Sequence, residues 1–404
     1  MGVDVDDLLA TTGVPGHRLS LPTKPEVLSL LSTLEAYLPY SLPLYRRLQF
    51  YLAHPSDPTG PPHAHIFQAF AKGLGGQRSK PRPAGGGGRL LQDEPPDAIE
   101  TMLQRPWLAA HVDLSRSGET QIWVFANWEC PSGKDYPRPQ PEDIGTRRCL
   151  LLSFFEFVYT HYVPLMPPTT PLSFMKVKKL HGNHHSYSPS AVLLGSCNLS
   201  IRSLIPELAI RRVDQAYMKY VFSSAGNEQI LSEPIPNTLG TTLPPGYRFG
   251  PLRQPKDLQL AIDRTTIPRT VETLAQLPSR AVFFEDEPEP VAWGFLGVDA
   301  SLTSLHTEPH HRGKNLAVLL ARELLRMQGQ YFSARGFEGR GDGSVENGSE
   351  LGHADVGEVN LGSRRVMEKA GARPLWKVCW VEVELETLFG EGGIWRSARR
   401  GAIS

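Results

Sequence analysis

The chain is short of cysteine, of charge imbalance and of long apolar runs, and each shortage removes a class of protein. Four cysteines in 404 residues, Cys130, Cys149, Cys197 and Cys379, stand far apart. No two are spaced as metal ligands, and the scatter is unlike the dense framework of a small secreted domain. Lysine plus arginine (42) balances aspartate plus glutamate (42), so no global field draws the chain to nucleic acid or to an anionic membrane. No apolar run reaches the roughly 20 residues of a spanning helix. The amino terminus is acidic, lacks a signal-peptide core, and carries Asp6 where a myristoylation signal needs Ser or Thr. These shortages predict a cytoplasmic protein with no metal, no nucleic acid and no membrane partner.

Proline and glycine are plentiful, at 36 and 37 residues. The proline share is about twice the usual 5% or so and predicts many loops. The length favours two domains, and 40% hydrophobic residues supply ample core.

In the first half, Thr23-Lys24-Pro25-Glu26 reads as a capping box opening a helix to about Tyr37, with Val27, Leu30, Leu31 and Leu34 as its buried stripe. A short helical segment around Leu44–Phe50 follows. Residues 55–100 read as mostly linker, and Gly85–Gly88 is not a phosphate loop because no Lys-Ser/Thr pair follows it. Trp107–Leu114 and Gln121–Trp128 read as a β-hairpin. Leu150–Tyr162 is apolar throughout and suits either a helix or a buried strand. Ala191–Cys197 reads as a strand, and 203–222 as one or two helices. Residues 224–246 are proline-rich and linker-like.

The second half reads as two helical pieces (255–266 and 267–277) and a hairpin (Ala281–Phe284 with Val291–Leu296). In that hairpin Val291, Trp293 and Phe295 share one face. A strand and helix over 302–330, a polar insertion over 337–350, a helix from Val359 closed by Gly371, and a last strand Trp376–Leu385 complete it. Each half runs helices, hairpin, strand and helix, which suggests a duplicated fold. The expected organisation is an arm (1–20), an amino-terminal domain (21–225) with an insertion near 73–100, a linker (226–243), a carboxy-terminal domain (244–390) and a tail (391–404).

The most informative stretch is 302–325, LTSLHTEPHHRGKNLAVLLARELL. Leu316, Leu319, Leu320, Leu324 and Met327 form one face of its helix. A strand, a basic glycine turn and a helix start together make an anion cradle, because first-turn amides lack internal acceptors and the dipole favours negative charge there. Gly313 admits a phosphate close to the backbone, while Arg312 and Lys314 add charge. As a mere surface residue Arg312 would oppose the helix dipole.

The residues Leu305 to Ala317 resemble the pyrophosphate signature of the GNAT superfamily of acyl-CoA N-acyltransferases, in its glycine N-acyltransferase-like branch, with Asn315 in place of a usual glycine. Asn360-Leu361-Gly362-Ser363 through Gly371 is similar to the family's second motif, and the likeness spans about 244–386. The first half resembles a degenerate copy. The resemblance implies an α/β (α+β) GNAT fold in tandem, with a mixed, splayed, strongly bent sheet flanked by helices. It implies that the pantetheine arm of acetyl-CoA or another acyl-CoA lies along Leu305, His306 and Thr307. The backbone of Arg312, Gly313, Lys314, Asn315, Leu316 and Ala317 would hold the pyrophosphate, with Asn360 and Ser363 contributing. The implied activity is transfer of a short acyl group to a small-molecule amine by a monomer or homodimer, without a covalent acyl-enzyme.

For the base, His306 suits by intrinsic pKa, or else simply lines the cleft or core. Glu308 is the next candidate, or else caps a helix. Ser301 stands about where the branch carries a catalytic Glu, and Met367 where many relatives carry a Tyr acid. Ser363 is the remaining candidate proton donor, or a pantetheine contact. These losses leave an acyl-CoA-binding sensor or scaffold as the alternative. His181, His184 and His185 read as a solvated loop, and Arg399-Arg400 is too brief for a nucleic-acid footprint.

Overall fold

A computed structural model describes residues 17–20, 24–53, 64–71, 105–115, 118–131, 144–166, 186–214, 216–222, 242–265, 267, 269–333 and 351–395. The expectations for Gly85–Gly88, for the 337–350 insertion, for His181, His184 and His185, and for Arg399-Arg400 lie outside these residues.

The first half runs β1 (His17–Ser20), α1 (Lys24–Glu35), α2 (Leu42–Ala53), β2 (Ala64–Ala71), β3 (Trp107–Asp113), β4 (Ile122–Ala126), α3 (Ile144–His161), β5 (Ala191–Asn198), α4 (Leu199–Arg202), β6 (Ile210–Val213) and β7 (Tyr217–Phe222). The second repeats the order with β8 (Tyr247–Gly250), α5 (Pro255–Asp263), α6 (Val271–Gln276), β9 (Ser279–Phe284), β10 (Ala292–Leu296), β11 (Leu302–Thr307), α7 (Leu316–Ser333), β12 (Gly352–Gly357), α8 (Leu361–Ala370), β13 (Ala372–Glu384) and α9 (Leu385–Phe389). The duplicated order is the tandem GNAT arrangement. One sheet runs β1-β2-β3-β4-β5-β13-β7-β12, with β6 beside β13; the other runs β11-β10-β9-β8. Within the two sheets, pairing is antiparallel except for β4 with β5, which are parallel at Ile122 and Leu194.

The halves exchange strands. β7, from the first half, lies between β12 and β13, with Lys219 opposite both Asp355 and Trp376. β13 is long enough to serve twice. Its first part pairs with β7, and its second enters the other half between β5 (Cys379 opposite Cys197) and β6 (Val381 opposite Val213).

Two expectations for the first half are corrected. The stretch 203–222 holds no α-helix but a 3-10 turn (Glu207–Ala209) followed by β6 and β7. Met218, Tyr220 and Phe222 pack towards α7 and α8, while Val221 joins Leu38 and Leu42 on the other face. Both faces are covered, so the polar alternation of a half-buried strand is lost. The reading of 55–100 as linker misses β2, which is buried almost throughout between β1 and β3. For 150–162 the structure chooses the helix. Leu150, Leu151, Leu152, Phe154, Phe155 and Phe157 are all buried around α3, which explains the missing period.

In the second half, Trp293 and Phe295 face α5 and α6, meeting Leu258, Ile262 and Leu274. Ala292 and Leu296 face α7, meeting Leu316, Leu320 and Leu324. Val291 precedes the strand and joins the α7 side, correcting its expected grouping with Trp293. Between the sheets, β11 and β12 touch through one parallel bridge, Ser301 with His353, and then belong to different sheets. The result is a wedge. Among the described residues no helix is long and apolar enough to cross a membrane.

Candidate functional site

One wall of the wedge is β11. Trp293 pairs with His306 and Phe295 with Thr303, so Ser304 and Leu305 together oppose Gly294 in a β-bulge, with Ser304 at φ 51. A Cβ at Gly294 would come within 2.8 Å of Leu324 Cδ1 and 3.0 Å of Leu305 Cδ1, so a side chain there would push both leucines aside. At the far end Glu308 N–H donates to Val291 O at 2.9 Å. Alternation of the ladder then turns the Thr307 backbone into the wedge, where Arg312 Nε donates to Thr307 O at 3.0 Å. On β11, Ser304 Oγ, His306 Nε2 and Thr307 Oγ1 are buried without a hydrogen-bond partner among the described residues.

The chain next makes a 3-10 turn (Pro309–His311) and reaches Gly313 at φ 80 and Asn315 at φ 61. Asn adopts this left-handed conformation more readily than other side-chain-bearing residues, which keeps the loop intact without the usual glycine. Asn315 O accepts from Val318 N and Leu319 N, each at 3.1 Å, and starts α7. Among the described residues, the N–H groups of Gly313, Lys314, Asn315, Leu316 and Ala317 meet no internal acceptor. They form a backbone nest at a helix N-terminus. No atom lies within 4 Å of where a Gly313 Cβ would stand, so an anion can close on the backbone.

The loop is braced from below. Lys314 Nζ donates to Tyr247 Oη at 2.7 Å, and Tyr247 Oη meets His311 Nδ1 at 2.9 Å. The Tyr247 ring lies edge-on to His311 and against Phe284. Glu308 accepts from Arg264 Nε at 2.9 Å and makes no side-chain cap to the turn that it precedes.

His306 stacks on Trp293, with centroids 4.6 Å apart and planes 21° apart. Its Nε2 is 3.8 Å from Glu308 Oε2, beyond hydrogen-bond reach. Burial lowers its pKa; Glu308 opposes that effect and the Arg312 charge adds to it, leaving a neutral imidazole near pH 7. Ser301 Oγ donates to Asp299 Oδ1 at 2.6 Å. Met367 is buried between α8 and the core and offers no proton.

The structure thus brings residues 305–317 together. Asn360 and Ser363 lie at the start of α8. Asn360 caps that helix by accepting from Ser363 N at 3.0 Å, and Gly371 closes it at φ 109. No hydrogen bond or ion pair among the described residues joins that pair to β11 or the loop. The bulge at Ser304, the Tyr247–His311 brace and the tie between His353 and Asp299 were not read from the sequence. The bulge leaves no local composition signal, and the other two join residues distant along the chain.

The donor set suits a coenzyme A. Unmet amides beside two basic side chains fit a diphosphate, and a free strand edge with unmet hydroxyls fits an amide-bearing arm. Among the described residues no group of three His, Cys, Asp or Glu is placed to hold a metal.

Fold and family together place the chain in the GNAT superfamily of acyltransferases. The family described as "Acyl-CoA N-acyltransferase verG N-terminal domain" matches residues 18–220, and the chain belongs to it. The structure is similar to the X-ray structure of a Drosophila protein, with 14% identity over 90% of this chain and 98% of that one, at a TM-score of 0.50. At such identity the likeness speaks for the fold alone. A tandem GNAT protein from the clavulanic acid biosynthesis pathway (11% identity, 91% and 98% covered) scores 0.42. A GNAT-family protein from Novosphingobium aromaticivorans (15% identity, 48% and 72% covered) scores 0.31. Those two scores are too low to argue from. No curated protein matches the sequence.

Proposed function

We propose that the protein transfers an acetyl or other short acyl group from acyl-CoA to the primary amine of a small molecule, by direct attack in a ternary complex, as in the glycine N-acyltransferase-like branch. The observation that carries this reading is the run of unmet amides at 313–317 beside the open edge of β11. An acyl-CoA supplies the activated thioester carbonyl. The loop amides, with Arg312 and Lys314, hold its pyrophosphate, and Thr307 presents backbone groups to its arm. An N–H at the bulge, set out of ladder register, would be available to the oxygen where charge develops.

The incoming ammonium must lose a proton before it attacks. His306, neutral and with Nε2 unpartnered, takes that proton at Nε2, and the Glu308 carboxylate then faces the imidazolium it creates. Ser363 is the remaining candidate for returning a proton to the thiolate. The balanced charge supports a metabolite over a nucleic acid or membrane as partner, and a cytoplasmic monomer or homodimer belongs to the same proposal. So does the division into 21–225 and 244–390, supported by the repeated order of elements.

A second reading has its own support. Glu308 is held by Arg264, Ser301 by Asp299, and Met367 is inert. An acyl-CoA-binding sensor or scaffold needs no more than this. Calorimetric titration with acetyl-CoA and with CoA tests both readings, and absence of binding by either sinks both. Free-thiol release across a panel of acyl-CoAs and amines separates them, since binding without release supports the sensor.

A further inference from the structure

Lys219 is a fully buried cation, and it comes from the other half of the chain. It sits on β7, the exchanged strand, directly opposite Asp355 of β12. Its ammonium donates to Asp355 Oδ2 at 2.8 Å, to Ser196 Oγ of β5 at 2.7 Å, and to His353 Nδ1 at 3.2 Å, and it also forms an ion pair with Asp355 Oδ1 at 2.7 Å. That uses all three of its protons.

The tautomer of His353 follows from this. Its Nδ1 accepts from an ammonium, so the ring proton is on Nε2, which donates to the Asp299 carbonyl at 2.8 Å. Asp299 Oδ1 in turn accepts from Ser301 N at 3.2 Å and Ser301 Oγ at 2.6 Å. Ser301 is the residue bridged to His353, at the vertex where β11 and β12 part. An unbroken run of bonds therefore leads from the first half to the base of the motif strand.

The lever arm is long. Thr307 lies six residues beyond Ser301, about 20 Å at roughly 3.3 Å per residue. A tilt of about 5° at the vertex would move the loop by roughly 2 Å, and misplacements of that size cost binding and rate heavily. A buried ion pair adds little net stability over apolar residues of similar volume, and its best-attested use is to fix one geometry.

We propose that Lys219 is a positioning residue. Through His353 and Asp299 it sets the opening of the wedge, so the amino-terminal half governs cofactor capture by the other half. The inference deepens the acyl-CoA reading above, and its first test stands without that reading.

The test compares wild type, the double variant Lys219→Met/Asp355→Leu, and His353→Gln. The double variant removes both charges and leaves neither unpaired. His353→Gln retains a donor for Asp299 O but loses the lone pair at Nδ1. Amide hydrogen exchange is followed by mass spectrometry in peptides covering 299–307, with β2 and β3 as internal reference. The expected result is cooperative melting in both variants, exchange at least tenfold faster in 299–307, and no change in the reference. CoA titration should then show at least tenfold weaker binding. Unaltered exchange at 299–307 in a folded variant overturns the proposal. If the double variant does not fold, the exchange of His353→Gln decides. A wild type that fails to bind CoA defeats the acyl-CoA reading alone, and the exchange result still judges Lys219.

Discussion

Lys219 and Asp355 face each other across β7 and β12, 136 residues apart in sequence, with Nζ and Oδ1 2.7 Å apart. The pair joins the two halves inside one sheet. Burial raises the Asp355 carboxyl above its ordinary range, and the Lys219 charge pulls it back. Neither group is well placed without the other.

Lys219→Met alone leaves Asp355 buried without its cation. The expected loss is about 3–5 kcal/mol of unfolding free energy, read from urea denaturation. The double variant with Asp355→Leu should recover most of it. A single variant as stable as wild type would mean that the carboxylate is neutral in the fold.

The phosphate loop makes a separate prediction. Arg312→Glu should weaken CoA binding at least tenfold by calorimetry, with little change in melting, because the side chain is exposed. Gly313→Val should do the same, and forcing a β-branched residue to φ 80 costs at least 1–2 kcal/mol or so. Unchanged affinity in both variants would place the anion elsewhere.

Stability should depend on pH through His353. Burial, and next the Lys219 charge, hold its pKa down at about 3, against an ordinary 6.5. Above 6.5 both folded and unfolded chains carry it neutral, and its contribution is fully present. As pH falls from 6.5 towards 3 the unfolded chain takes up a proton that the folded chain refuses, so stability declines. The limiting slope is about 1.4 kcal/mol per pH unit. His353→Gln should flatten the curve of unfolding free energy in that window, even though Lys219, Asp355 and Asp299 titrate or hold charge around it. Parallel curves for the two proteins would remove His353 as the cause.

If His306 takes the amine proton, the acid limb of kcat/KM against pH reflects its lowered pKa and falls below the ordinary 6.5. His306→Gln should cost roughly 10²–10⁴-fold in rate, the usual share of general base catalysis, with CoA affinity within a few-fold. A variant that keeps the wild-type rate and pH profile would leave His306 as lining only.

The legible parts of this protein are those whose reasons are local. Gly313 and Asn315 stand three and one residues before a helix whose apolar period announces it, and Gly371 stops α8 at a left-handed turn. Backbone sterics, helix ends and 3.6-residue periodicity act within a few residues, so the turn at Gly313–Asn315, α7 and α8 could be read directly. The hairpins β3–β4 and β9–β10 were legible for the same reason.

What stayed hidden depends on partners far along the chain. β7 carries Met218, Tyr220 and Phe222 on one face and Lys219 and Val221 on the other. That pattern suits a helix as well as a strand until β12 and β13 are placed on either side of it. β2 is apolar within proline- and glycine-rich surroundings, and only β1 and β3 make it a strand. The sequence by itself determined the Gly313–Asn315 turn, the helix that follows it and their α/β setting, because those arise from neighbouring residues. Tertiary structure alone decided the strand exchange, the vertex at Ser301 and His353, and the burial of Lys219, because the pairing energy of a strand belongs to whichever edge it meets.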